Sequence, residues 1–119
     1  MSDKVMFSDN LEDIKNHVNS SLYRGFINTT LNYGGPNGIT PLMVAVRKRR
    51  YDIVSYLIEQ GCDVNVHEAC GFTALHHAYI GFPLNRDIID LLISAGARQY
   101  ERDAEGRVPR DLASKSIRN

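Results

Sequence analysis

The stretch Asn37 to Asp63, NGITPLMVAVRKRRYDIVSYLIEQGCD, recurs along the chain and limits what the rest of it can become. Gly38, Thr40, Leu42 and Ala45 return 33 residues later as Gly71, Thr73, Leu75 and Ala78. Ile53, Val54, Leu57 and Gly61 return 35 residues later as Ile88, Ile89, Leu92 and Gly96. A partial third copy keeps Gly106, Pro109 and Ala113 in the places of Gly38, Pro41 and Ala45. A supersecondary unit repeated at this period cannot bury its apolar side alone, so it stacks against its own copies. The expected product is an all-α solenoid of helix–turn–helix units.

Within a unit, the residue types assign the helices. Thr40 is a candidate N-cap, and Pro41 stands at the first helical position, where a missing N–H costs nothing. Leu42, Val44, Ala45 and Val46 make that helix apolar on most sides, as packing between neighbours requires. Asp52 marks the start of a second helix whose inward side is Ile53, Val54, Leu57 and Ile58. Gly61 ends it, being free to adopt a left-handed conformation. The next unit repeats the scheme but carries two additional residues in the segment YIGFPLNRD, with Phe82 and Leu84 apolar at its tip.

The single domain of 119 residues divides accordingly. Residues 9–36 are expected to be a divergent N-terminal cap, with a helix from Asp9, capped by that residue, and a second from Ser21 to Thr29. Residues 37–70 and 71–105 are the two full repeats, and residues 106–119 a closing cap whose Arg110, Asp111, Lys115 and Arg118 give it a polar outer side.

Charge and cysteine content narrow the function. Fourteen basic residues balance fourteen acidic ones, which argues against bulk attraction to nucleic acid or to an anionic membrane. The first ten residues lack an apolar core of signal-peptide length, and no 18-residue apolar run occurs. The expected setting is cytoplasmic, with the nucleus as a second site. Two cysteines, Cys62 and Cys70, are too few for a disulfide framework.

ITPLMVAV and FTALHHAY match the Thr-Pro-Leu-His-x-Ala signature of the ankyrin repeat, and CDVN matches its Ala-Asp-Val-Asn loop. DAEGRVPRDLA resembles the usual final repeat of that family. Met43 stands in place of the signature histidine in the first full unit, Ala74 in place of proline in the second, and Gln99-Tyr100 in place of Val-Asn in the third. The resemblance implies stacked helix pairs with β-hairpin-like loops projecting from them. It also implies a non-catalytic module that binds another protein or peptide through loop tips and first-helix faces. Carried residue by residue onto this chain, that surface comprises Asn37, Ile39, Arg47, Lys48, Arg50, His67, Cys70, Phe72, Ile80 and Arg107, with Phe82 from the lengthened loop. Ile39 and Phe72 are apolar at positions expected to be exposed. Asn65, following Asp63-Val64 and eight residues after Leu57, resembles the asparagine hydroxylated in many ankyrin repeats; its plainer role is bonding within its own hairpin.

Other chemistries find weaker support. Arg47-Lys48-Arg49-Arg50 reads as a basic run for an acidic partner or nucleic acid, or as a solvated helix end favoured by the C-terminal dipole. Cys62, His67, Cys70, His76 and His77 lack the Cys-x-x-Cys or His-x-x-x-His spacing of a zinc site. No nucleophile elbow, phosphate loop or paired-carboxylate motif indicates an enzyme, and no small-molecule substrate or cofactor is expected. A stack this short could also self-associate through an end.

Overall fold

The computed structural model describes residues 10–19, 38–81 and 83–117. Its described helices are α1 (Leu11–Asn19), α2 (Pro41–Arg47), α3 (Tyr51–Glu59), α4 (Ala74–Ala78), α5 (Arg86–Ser94) and α6 (Pro109–Ile117). They pack in two rows: α2, α4 and α6 follow one another, while α3 and α5 lie behind them against α2 and α4. This is the expected all-α solenoid. The expected helix at residues 21–29 lies outside the described residues.

The 35-residue recurrence is the core of the second row. Ile53, Val54 and Leu57 on α3 are buried, and Ile88, Ile89 and Leu92 repeat them on α5. Leu57 and Leu92 have no exposed surface, so truncating either to Ala costs about 2–5 kcal/mol. In the first row, Leu42, Met43, Ala45 and Val46 face Ala74, Leu75 and Ala78 in one continuous cluster that also takes in Ile14, Val64 and Ala97.

The helices of the first row are too short to hold themselves, and their caps compensate. Thr40 Oγ1 accepts the Met43 N–H at 3.2 Å and Pro41 follows it, as the sequence indicates. Thr73 does more. Its Oγ1 accepts the His76 N–H, while Nδ1 of His76 accepts the Thr73 N–H at 3.1 Å, a reciprocal box over the five-residue α4. Met43 has no ring nitrogen to return, so α2 keeps half the box and gains a side chain 1% exposed in the core.

Two starts differ from expectation. Asn10, not Asp9, caps α1, accepting the N–H groups of Glu12 at 2.9 Å and Asp13 at 3.2 Å. Helix α3 begins at Tyr51, one residue before Asp52, because the preceding turn runs through Arg49 at φ +61°. Arg49 is the one described non-glycine residue in the left-handed region.

Successive loops lie against one another. Residues 68–72 close on a Glu68 N–H to Phe72 carbonyl bond of 2.9 Å, and residues 103–107 repeat it between Asp103 and Arg107 at 2.9 Å. The Ala104 N–H then donates to the Cys70 carbonyl at 2.9 Å, joining the two loops. Gly71 allows this approach: a Cβ there would stand 2.8 Å from Ala104 N and 2.9 Å from Asp103 Cα. Gly61, which ends α3 as expected, has a similar φ of +90° with open space around it.

These two glycines therefore separate backbone strain from close approach. Gly61→Ala is expected to cost about 1 kcal/mol, the usual penalty of a left-handed alanine. Gly71→Ala adds a backbone clash and should cost at least about 2 kcal/mol more. Urea denaturation of both variants compares them; equal losses would show that the loops separate without cost.

Candidate functional site

The surface named from the sequence spans the loop tips and the end of α2. Asn37 and Phe82 lie outside the described residues. The others divide into those that border a groove and those already engaged within the fold.

Ile39, Met43, Val44, Arg47, Lys48 and His77 line a groove of about 220 Å³ between the start of one unit and α4 of the next. That volume is below the roughly 300 Å³ at which pockets begin to enclose a small-molecule ligand, and suits a side chain of a larger partner. Ile39 and Val44 are half-buried along its wall; Arg47 and Lys48 are exposed at its end. Sequence reasoning included Ile39, Arg47 and Lys48 but passed over His77, Met43 and Val44, which read as helix interior.

His77 joins this groove to the loop behind it. It is 6% exposed, and its Nε2 hydrogen-bonds the Glu68 carboxylate. A carboxylate accepts, so Nε2 carries the proton and the neutral ring presents Nδ1 as an acceptor. The Arg47 guanidinium lies 3.3 Å from that nitrogen. Burial lowers the His77 pKa from 6.5, outweighing the attraction of Glu68, and Arg47 and His76 lower it further. The native ring is held neutral, and Arg47 depends on that neutrality for its bond.

Phe72 is not the exposed anchor that its position suggested. It is half-buried, stacked on His76 with centroids 5.3 Å apart, edge-on to His77 at 5.5 Å, and covered by Arg107 at 5.8 Å. Arg107 is also committed, its Nε donating to Asp103 Oδ2 at 2.9 Å. Burial alone would raise the Asp103 carboxyl. Hydrogen bonds from the N–H groups of Arg107 and Glu105 and the guanidinium of Arg107 outweigh it and hold the group below the usual carboxylate range. His76 Nε2–H reaches the Arg107 carbonyl at 3.0 Å, tying α4 to the following loop.

The basic run proves to be divided among tasks. Arg50 pairs with Asp52 through bonds of 3.2 and 3.0 Å. Arg49 donates to the Pro83 carbonyl, fastening the lengthened loop to the turn between α2 and α3. Arg47 and Lys48 border the groove. Four adjacent cations thus do not form one patch, because successive residues in a turn point in different directions.

The remaining candidates are dispersed. His67 and Cys70 are exposed on the loop, with Cys70 Sγ donating to Glu68 Oε2 at 3.6 Å. Burial raises the Cys70 thiol and pushes Cys62 up to about 11, which leaves neither as a ready nucleophile. Ile80 is half-buried just past α4. Asn65 does not close its own hairpin by side chain. Its Nδ2 donates to the Gly96 carbonyl at 3.1 Å and its Oδ1 accepts the Arg98 N–H at 2.9 Å, so it clamps the following unit. Among the described residues, no group of three or more His, Cys, Asp or Glu side chains could hold a metal ion. No helix among them is long and apolar enough to cross a membrane.

The family description "Ankyrin repeats (3 copies)" matches residues 7–103. The chain belongs to the ankyrin-repeat family. Ankyrin repeats are general protein–protein interaction modules, and the family is typically non-catalytic. Ankyrin repeat protein L271 of Acanthamoeba polyphaga mimivirus is 36% identical over 94 residues, 76% of this chain and 13% of its own length. Protein fem-1 homolog A-like of Mus musculus is 41% identical over 78 residues, 66% of this chain and 12% of that protein. A protein of Oryza sativa subsp. japonica named Probable E3 ubiquitin-protein ligase XBOS33 is 52% identical over 46 residues, 39% of this chain and 8% of its own. The chain thus spans a small fraction of the length of these relatives.

The state of His77 sets a pH dependence with a definite sign. With the native pKa lowered, the unfolded chain binds its proton first as pH falls. The stability contributed by the neutral ring is complete above about pH 6.5 and declines as pH falls toward the native pKa, at no more than about 1.4 kcal/mol per pH unit. An NMR titration of the His77 ring should show a midpoint below 6.5, and His77→Gln should flatten that part of the stability curve. A midpoint at or above 6.5 would mean that Glu68 dominates the site.

Proposed function

We infer that this chain acts as a protein-binding module, serving as a small adaptor, inhibitor or assembly factor, and that the groove beside α2 and α4 is where it holds its partner. The supporting observation is the groove itself: an apolar wall of Ile39, Met43 and Val44 ending in exposed Arg47 and Lys48. Apolar centres with charged, solvated rims are the usual anatomy of a protein interface. A catalytic reading has less behind it, since both thiols are raised and the two adjacent histidines are spent on structural bonds.

Among the candidate residues, Ile39, Arg47 and Lys48 are the contact set; His67, Cys70 and Ile80 lie farther along the same run of loop tips and helix ends. The relatives' names, that of a ubiquitin ligase among them, describe those proteins, and the likeness extends over 46 to 94 residues.

Affinity capture from a lysate of the native source should retain a protein on the wild type and lose it on Ile39→Asp combined with Arg47→Glu. Phe72 is left intact, because its ring packs on His76. Circular dichroism shows whether both chains fold alike. Equal recovery by the two would move the binding site away from this groove.

A further inference from the structure

The neutral total of 14 basic and 14 acidic residues is not spread evenly over the molecule. Among the described residues, those that line the groove beside α2 and α4 include Arg47 and Lys48 and no carboxylate. Glu68, the nearest acid on the loop behind it, is turned onto His77 and is 14% exposed. On the opposite row, the described residues that line the groove between α3 and α5 are Tyr51, Asp87, Asp90, Leu91 and Ser94, with no cation among them. The described linings of the two grooves therefore differ in sign, although the formal net charge of the chain is zero.

We propose that the α2–α4 groove is specific for acidic peptide segments in which a carboxylate lies within two residues of an apolar side chain. The inference rests on the protein-binding reading above and names the chemistry of its partner. Geometry sets the spacing. Arg47 follows Val44 by three residues and Met43 by four, so the cationic end and the apolar wall are about one helical turn apart, roughly 5 Å. In an extended peptide, adjacent and next-adjacent residues are separated by roughly 3 to 7 Å along the strand, which covers that distance. Among the described residues, the one partner of the Arg47 guanidinium is His77 Nδ1. The guanidinium carries five N–H donors in a planar fork, and a carboxylate takes two of them. A basic peptide would meet like charge, which costs affinity directly. A nucleic-acid backbone would find two cations but nothing to place on Ile39, Met43 and Val44.

A phage library of random 12-residue peptides selected on the immobilised wild-type chain tests this. Selected peptides should place Asp or Glu within two positions of Leu, Ile, Met or Phe. Synthetic copies should lose at least tenfold in affinity on Arg47→Glu and on Lys48→Glu, both exposed positions, and should weaken as salt rises from 50 to 500 mM. Enriched peptides without that acidic bias, or peptides indifferent to both charge reversals, would overturn the proposal while leaving the module a protein binder. A labelled dT12 strand that binds with the same sensitivity to the variants would overturn it in favour of nucleic acid. Failure to enrich any peptide would overturn the proposal, while the capture from lysate decides the protein-binding reading separately.

Discussion

The bond from His76 to the Arg107 carbonyl is the tie on which the stack most depends. One imidazole, with no exposed surface, caps the start of its own helix through Nδ1 and reaches the next unit through Nε2. Both nitrogens are used, so the tautomer is fixed and the ring cannot turn. Phe72 stacks on it and Arg107 covers Phe72, so that the loop, the helix and the following loop share one packed column. A buried polar ring left without these partners would cost about 1–3 kcal/mol for each unsatisfied nitrogen. Apolar burial brings the units together; the polar ties set the register at which they stop.

The ties are also directional. Asn65 reaches forward to Gly96 and Arg98, Cys70 accepts from Ala104, and His76 donates to Arg107. Each spans 31 to 34 residues, the period first seen as recurring letters. Where a letter departs, the tie changes. Met43 supplies volume instead of a bond, and Arg49 takes a strained conformation to hold the one loop that breaks the period.

The sequence made the fold legible because burial repeats with the units: Ile53, Val54 and Leu57 could be matched to Ile88, Ile89 and Leu92 without coordinates. Thr40, Pro41 and Gly61 were legible for the same local reason, since caps and stops act within one turn. The groove was legible in part. Ile39, Arg47 and Lys48 occupy expected contact positions, whereas His77 was hidden by its place one residue after the signature histidine. Side-chain direction in turns carries no sequence period, so the division of Arg47 to Arg50 among different partners could not be read. Phe72 misled for a related reason: its exposure is decided by Arg107, which lies 35 residues away.

Because the described ties run from each unit to the next, tension between the ends would load them in series. The last described links, Cys70 with Ala104 and His76 with Arg107, hold the loop before α6 against the preceding unit. A pull on α6 would load those two links before it reached the apolar contacts between α3 and α5. Under load, a chain of this design opens link by link, as a zipper does.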